Sequence, residues 1–233
     1  MNEEVVGSAT PHLSGKGGWR WSPLVMLLVG LGAFTLVATD VVFQGPLARW
    51  DRPLQAAIYH FARPAEPSGW PPGVWIGAAI SGLGNLSCIA VVALVVASLL
   101  AVRRRWATLV VWGIALIGSG IINPVLKSAF RVPRPREHTF YTFPLNSGWS
   151  FPSGHTMAAT ITAGTLALIL LHHIPHTRLI RTLAWSAVAI LSLLEGMALM
   201  YVGVHYLTDV LGALAISFAW LGVIRFLLPP RAA

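Results

Sequence analysis

The chain has 233 residues, of which 55% are hydrophobic and only 10% charged, with a mean hydropathy of +0.69. A soluble domain carries about 25% charged residues, so water cannot surround this chain, and several apolar runs reach the length that crosses a bilayer. The net charge of +8 does not argue for nucleic acid, because the basic residues lie in short loops between apolar runs, where topology and anionic lipid account for them.

In chain order, residues 1–21 read as a polar, glycine-containing, disordered tail, and 22–233 as a single transmembrane domain. The first apolar run is too long for a cleaved signal peptide and reads as an uncleaved anchor. It covers Pro23 to Phe43, with Trp19 and Trp21 as interfacial anchors before it. Arg49 to Phe61, with Leu54, Ile58 and Phe61 on one side, predicts an amphipathic helix at the membrane surface in the first outer loop. Gly73 to Ser81 predicts a short helix, broken by Gly82-Leu83-Gly84-Asn85. Further spans are expected over Leu86–Val102, Trp106–Leu126, His155–Leu171, Leu179–Val204 and Tyr206–Leu228. The fold class is therefore all-α, an integral membrane bundle of about six transmembrane helices. Cys88 is the single cysteine and lies in an apolar run, so it reads as a packing residue.

Orientation follows from Lys and Arg in the loops. With both termini cytoplasmic, the inner loops hold nine basic residues, including the Arg103-Arg104-Arg105 turn, and the outer loops seven. The Lys127–Pro152 loop then faces outward. Three polar groups share that face. Lys127 ends the third span, followed by Arg131, Arg134 and Arg136; Pro152-Ser153-Gly154-His155 opens the fourth; His205 and Asp209 mark the start of the sixth.

Ser153 is a natural N-cap, with Pro152 setting the helix start. The N–H groups of Gly154 and His155 would present an anion site. His205 and Asp209 are four apart, within hydrogen-bonding reach on a helix. A carboxylate on one imidazole nitrogen fixes the tautomer and leaves the other nitrogen free as nucleophile or base; the same pair also satisfies itself at a plain helix interface. The four cations suit either lipid headgroups or a bound phosphate. A metal at His155 and His205 would be repelled by those cations, and no metal or other cofactor is expected. His172, His173 and His176 face the other side and read as a solvated turn.

Lys127 with Arg134-Pro135, Pro152-Ser153-Gly154-His155, and Tyr201 through His205 to Asp209, in this order and spacing, resemble the three motifs of the type 2 phosphatidic acid phosphatase (PAP2) superfamily of membrane lipid phosphatases, with a motif core over 127–209. The resemblance implies a nucleophilic His205 that forms a phosphohistidine, oriented by Asp209. His155 would protonate the leaving oxygen and then activate water. Lys127, Arg134, Ser153 and the Gly154 N–H would hold the phosphoryl oxygens. The implied activity removes a terminal phosphate from a lipid phosphate or diphosphate, such as undecaprenyl diphosphate or phosphatidic acid, at the outer face of a bacterial inner membrane. Lipid-to-lipid phosphotransfer and non-catalytic lipid-phosphate binding are the alternatives.

The third motif of the family usually carries an arginine six residues before the histidine; here that position is Leu199, after Ala198. Arg131 and Arg136 are the candidate substitutes. Glu195, one turn earlier on the same face, is an acid inside a span and hence a functional candidate, expected to pair with Arg131 or Arg134 or to stay protonated. Asp40 and Asn123 read as ordinary span-end residues. Tyr141, Trp149 and Phe151 read as interfacial or packing residues that could line a lipid route. The sequence does not fix the oligomeric state.

Overall fold

The computed structural model describes residues 22–62, 72–140 and 148–229. The expected tail over 1–21, its anchors Trp19 and Trp21, and Tyr141 lie outside them. Among the described residues there is no strand. The helices are α1 (Pro23–Val42), α2 (Pro46–Ala62), α3 (Pro72–Ser81), α4 (Leu86–Val102), α5 (Trp106–Phe130), α6 (Gly154–His173), α7 (Arg178–Val202) and α8 (Leu207–Leu227), with a 3-10 turn at Gly82–Gly84 between α3 and α4. α1, α5, α6, α7 and α8 are each long and apolar enough to cross a membrane. α3 with its 3-10 turn and α4 form a pair bent by 43° that is long and apolar enough together, as a broken span or a re-entrant loop, which gives five or six crossings. The all-α expectation of about six spans therefore holds.

Two elements differ from expectation. α5 runs four residues past Leu126, which puts Lys127 in its last turn. Pro124 lies inside this helix without ending it, because a proline removes one backbone donor that neighbours in a bundle can make good. α2 forms as expected, but its polar side faces the protein. Asp51 and Gln55 are buried while Phe61 is exposed. Gln55 Nε2 donates to the carbonyls of His138 and Met200, both at 3.1 Å, so hydrogen bonds help to dock this helix. Asp40 is also less ordinary than it reads in the sequence. Its carboxylate accepts the N–H groups of Leu47 at 3.3 Å and Ala48 at 2.7 Å, capping α2 from the end of α1.

α6 is the central helix, packed on α5, α7 and α8. It is rich in Thr, Ala and Gly, and most of its length is buried. Helices in lipid gain little from apolar burial against each other, so small residues that permit close backbone approach decide the packing. α1 and α8 make the most extensive helix pair and use the same device. A side chain at Gly30 would strike the Ala219 backbone, and one at Gly222 would meet Pro23 and Leu27 backbone atoms, whereas one at Gly32 would meet nothing within 4 Å. Gly30→Val and Gly222→Val should each destabilise the detergent-solubilised protein by about 1–3 kcal/mol, read as a lower thermal midpoint. Gly32→Val should leave the midpoint almost unchanged.

Candidate active site

The first helix end at the site is that of α6. Ser153 is its N-cap, with Oγ accepting from Thr156 N at 3.5 Å and from Thr156 Oγ1 at 3.0 Å. Pro152 precedes the cap rather than occupying the first turn, because Gly154 begins the helix. The N–H groups of Gly154 and His155 then have no intrahelical acceptor. Asn123 of α5 fixes this end by donating to Pro152 O at 3.1 Å. Its amide lies so close to Gly154 that a Cβ there would sit 3.0 Å from Asn123 Oδ1. Asn123 is thus part of the site's frame and not merely a span-end residue.

The second end is the turn from α7 into α8. Gly203 closes α7 at φ 87°, a left-handed conformation suited to glycine. A side chain there would also strike Thr139. Four residues on, α8 begins, and His205 is left buried in the turn. His205 Nδ1 lies 3.1 Å from Asp209 Oδ2, and Nε2 lies 3.3 Å from an Arg134 guanidinium nitrogen. The arrangement suits one tautomer, with Nδ1–H donating to the carboxylate and Nε2 accepting from the arginine. Burial, opposed by Asp209 and reinforced by Arg134 and Lys127, pulls the His205 pKa down to about 4. The ring is therefore neutral at neutral pH. Burial also lowers the Arg134 pKa. Arg134 donates a further bond to Val204 O at 3.2 Å.

Lys127 Nζ donates to Trp149 O at 2.6 Å and to Ser150 O at 3.4 Å, which ties α5 to the strand of loop leading into Pro152. Lys127 and Arg134 are both electrostatic neighbours of His155 and of His205. The structure thus gathers Lys127, Arg134, Ser153, Gly154, His155, His205 and Asp209 at one end of the bundle.

Arg131 and Arg136 are not gathered there. Both are exposed, and Arg131 caps α5 in a left-handed conformation, its Nε donating to Ser128 O at 3.0 Å. That side chain satisfies a helix-end carbonyl and does not substitute for an arginine at 199. Leu199 is buried in an apolar cluster with Val74, Val202 and Val204. Glu195 pairs with neither Arg131 nor Arg134. It is fully buried, its carboxyl group lies beside Gly84 and the backbone of His155, and neither oxygen has a hydrogen-bond partner among the described residues. Phe151 is a packing residue, stacked on Phe34 at 5.8 Å and edge-on to Phe130 at 5.1 Å. Trp149 is partly exposed. His172 and His173 lie at the far end of α6, and no group of three or more metal-ligating side chains occurs among the described residues.

Two residues escaped the sequence reading. Ser150 is buried and its hydroxyl donates to Asp209 Oδ2. Asp51 of α2 accepts Thr208 N at 3.1 Å and Thr208 Oγ1 at 2.5 Å, capping α8 from outside the helix. The one available signal was a carboxylate inside an otherwise amphipathic segment.

An all-helical bundle of membrane-crossing length, with two imidazoles, a carboxylate and two cations drawn to one end, defines a class of integral membrane protein built to meet anions at a membrane face. Residues 108–231 match the PAP2 superfamily, and the chain belongs to that superfamily of membrane lipid phosphatases. It is 27% identical to phosphatidylglycerophosphatase B of Bacillus subtilis (strain 168) over 148 residues, which are 61% of this chain and 70% of that protein. It is 35% identical to undecaprenyl-diphosphatase BcrC of the same organism over 107 residues, 45% of this chain and 50% of that one. The fold is like that in the crystal structure of a transmembrane PAP2-type phosphatidylglycerolphosphate phosphatase from Bacillus subtilis. The match has a TM-score of 0.66 at 23% identity and covers 89% of this chain and 96% of that one.

The Asp51 brace has a pH signature. Burial raises the Asp51 pKa from 3.8 to about 6 against the opposing hydrogen bonds of Thr208. The folded protein therefore holds this proton more tightly than the unfolded chain. Its contribution to stability is fullest below pH 3.8 and is lost as pH rises through about 6. Asp51→Asn, which keeps an acceptor for Thr208 N, should flatten the thermal midpoint over that window. Asp51→Ala should cost about 1–2 kcal/mol at acid pH, as the loss of a helix cap does, and less above about pH 6.

Proposed function

We propose that this chain removes a terminal phosphate from a membrane lipid through a covalent phosphohistidine on His205. The observation that carries the reading is His205 itself: a buried, neutral imidazole with Nδ1 on Asp209 and Nε2 turned toward Arg134. Nε2 attacks phosphorus and a P–N bond forms as the P–O bond to the lipid breaks. His155 gives its proton to the leaving oxygen. Water then attacks the phosphohistidine, His155 takes the water's proton, and inorganic phosphate leaves. Asp209 balances the positive charge that His205 gains. Lys127, Arg134, the Ser153 hydroxyl and the Gly154 N–H neutralise the phosphoryl oxygens, which is most of what phosphoryl transfer demands. On this reading the cations do the work of a metal, and none is required.

The substrate class is a lipid with a terminal phosphate. The names of the relatives support phosphatidylglycerophosphate and undecaprenyl diphosphate, and phosphatidic acid shares the same chemistry. The triple-arginine turn at the opposite end of the bundle supports an outward-facing site in an inner membrane, with the termini in the cytoplasm.

Phosphate release by detergent-solubilised protein over a panel of these lipids tests the reading. His205→Ala should lower turnover by about 10³-fold or more. His155→Ala should let a labelled, acid-labile phosphoenzyme accumulate, and a chelator should leave the rate unchanged. Equal turnover by the wild type and His205→Ala would overturn the mechanism, and binding without release by the wild type would favour a non-catalytic lipid-phosphate binder.

The cation assignments separate in the same assay. Lys127→Ala and Arg134→Ala should each cost on the order of 10²–10³ in rate. Arg131→Ala and Arg136→Ala should stay within about twofold of the wild type, because both residues are exposed and surface changes have small effects.

A further inference from the structure

At the end of the bundle opposite His205, the α4–α5 turn, the α6–α7 turn and the residues after α8 line an open pocket of about 640 Å³. Arg104, Arg105, Trp106, Thr108, His172 and His173 line it. Thr108 is buried, and its hydroxyl lies 3.0 Å from His173 Nε2, so the two sides of the cavity are joined by a hydrogen bond. Trp106, Ala107 and Thr108 are also the first turn of α5. The N-cap of that helix, Arg105, offers its N–H groups no side-chain acceptor. A cationic wall and a helix N-terminus thus meet in one open pocket.

Charge at this end is one-sided. Arg103, Arg104, Arg105, Arg178, Arg181 and Arg225 lie there. Among the described residues none of the five carboxylates does: Asp40, Asp51, Glu137 and Asp209 belong to the other end, and Glu195 lies against the backbone of His155. The rim is apolar on the bilayer side, where Trp106 and Ile174 line the cavity and are more than half exposed. That pairing suits a headgroup held inside and acyl chains running out along the bundle. Basic pockets between spans take anionic lipid for this reason.

We propose that this cavity binds the phosphate headgroup of an anionic phospholipid, at the membrane face opposite the His155–His205 site. The proposal is independent of the hydrolytic reading. Phosphatidylglycerol is the probe, because its phosphodiester has no terminal phosphate to lose.

Native mass spectrometry of delipidated protein should show phosphatidylglycerol retained in preference to phosphatidylcholine. A photoactivatable phosphatidylglycerol should label the wild type within 104–108 or 172–175. Arg104→Gln with Arg105→Gln, made in a Lys127→Ala, Arg134→Ala background so that lipid held at the other site does not count, should weaken retention on the order of tenfold or more. Wild-type labelling keeps the test decisive if the double glutamine variant does not fold. Equal retention of the two lipids, labelling only at other segments, or unchanged retention in the glutamine variant would overturn the proposal. Displacement of the lipid by inorganic phosphate at matching concentrations would overturn it too, by making the cavity a site for the free ion.

Discussion

The end of the bundle that carries the site hangs on one carboxylate oxygen. Oδ2 of Asp209 takes the Ser150 hydroxyl, the Tyr206 N–H at 2.8 Å and His205 Nδ1 at 3.1 Å. The backbone carbonyl of the same residue takes Ser153 N at 3.0 Å. A carboxylate with no solvent exposure is costly unless donors surround it. Here the donors to it come from the loop before α6 and the turn before α8. Side chain and carbonyl of this one residue therefore tie the stretch entering α6 to the turn entering α8, which are far apart in the chain.

Around that charge, polar bracing and apolar packing divide the labour. Asp51 and Gln55 brace from α2, holding the start of α8 and the end of α7. Phe34, Phe130 and Phe151 close the side toward α1 and α5. Leu199 and its valine neighbours make a dry wall where an arginine is usual in the family. The cradle is accordingly one-sided: its fixed cations, Lys127 and Arg134, come from α5 and the loop after it. Small residues between α1 and α8 bring these layers close enough for the bracing to reach.

Much of this was legible in the sequence, for a physical reason. In a chain so poor in charge, each polar residue near a span end stands out, and apolar length alone locates the spans. Lys127, Arg134, Ser153, His155, His205 and Asp209 were visible in that way. The end of α5 was placed four residues early, because apolar length marks where a span leaves lipid and not where its helix ends. Ser150, Asp51, Gln55 and Asn123 act through hydrogen bonds to residues that are distant in sequence or to backbone atoms, which no periodicity reports. That Arg131 bonds a carbonyl of its own helix could not be read from the letters, since a capping cation and one that faces a ligand look alike there. Glu195 stood out correctly as an oddity, but its partnerless burial beside Gly84 could only be seen in three dimensions.

The contact between Arg134 and His205 has a consequence for the resting protein. While the guanidinium donates to Nε2, the lone pair of that nitrogen is occupied, and the imidazole is shielded from neutral electrophiles. An arriving dianion competes for the same guanidinium and draws it aside, since an arginine prefers two charged oxygens to one neutral ring nitrogen. The nitrogen is uncovered by the charge of whatever enters. Selectivity for phosphate would then be exercised as a safety catch, before any bond is made and independently of the lipid attached.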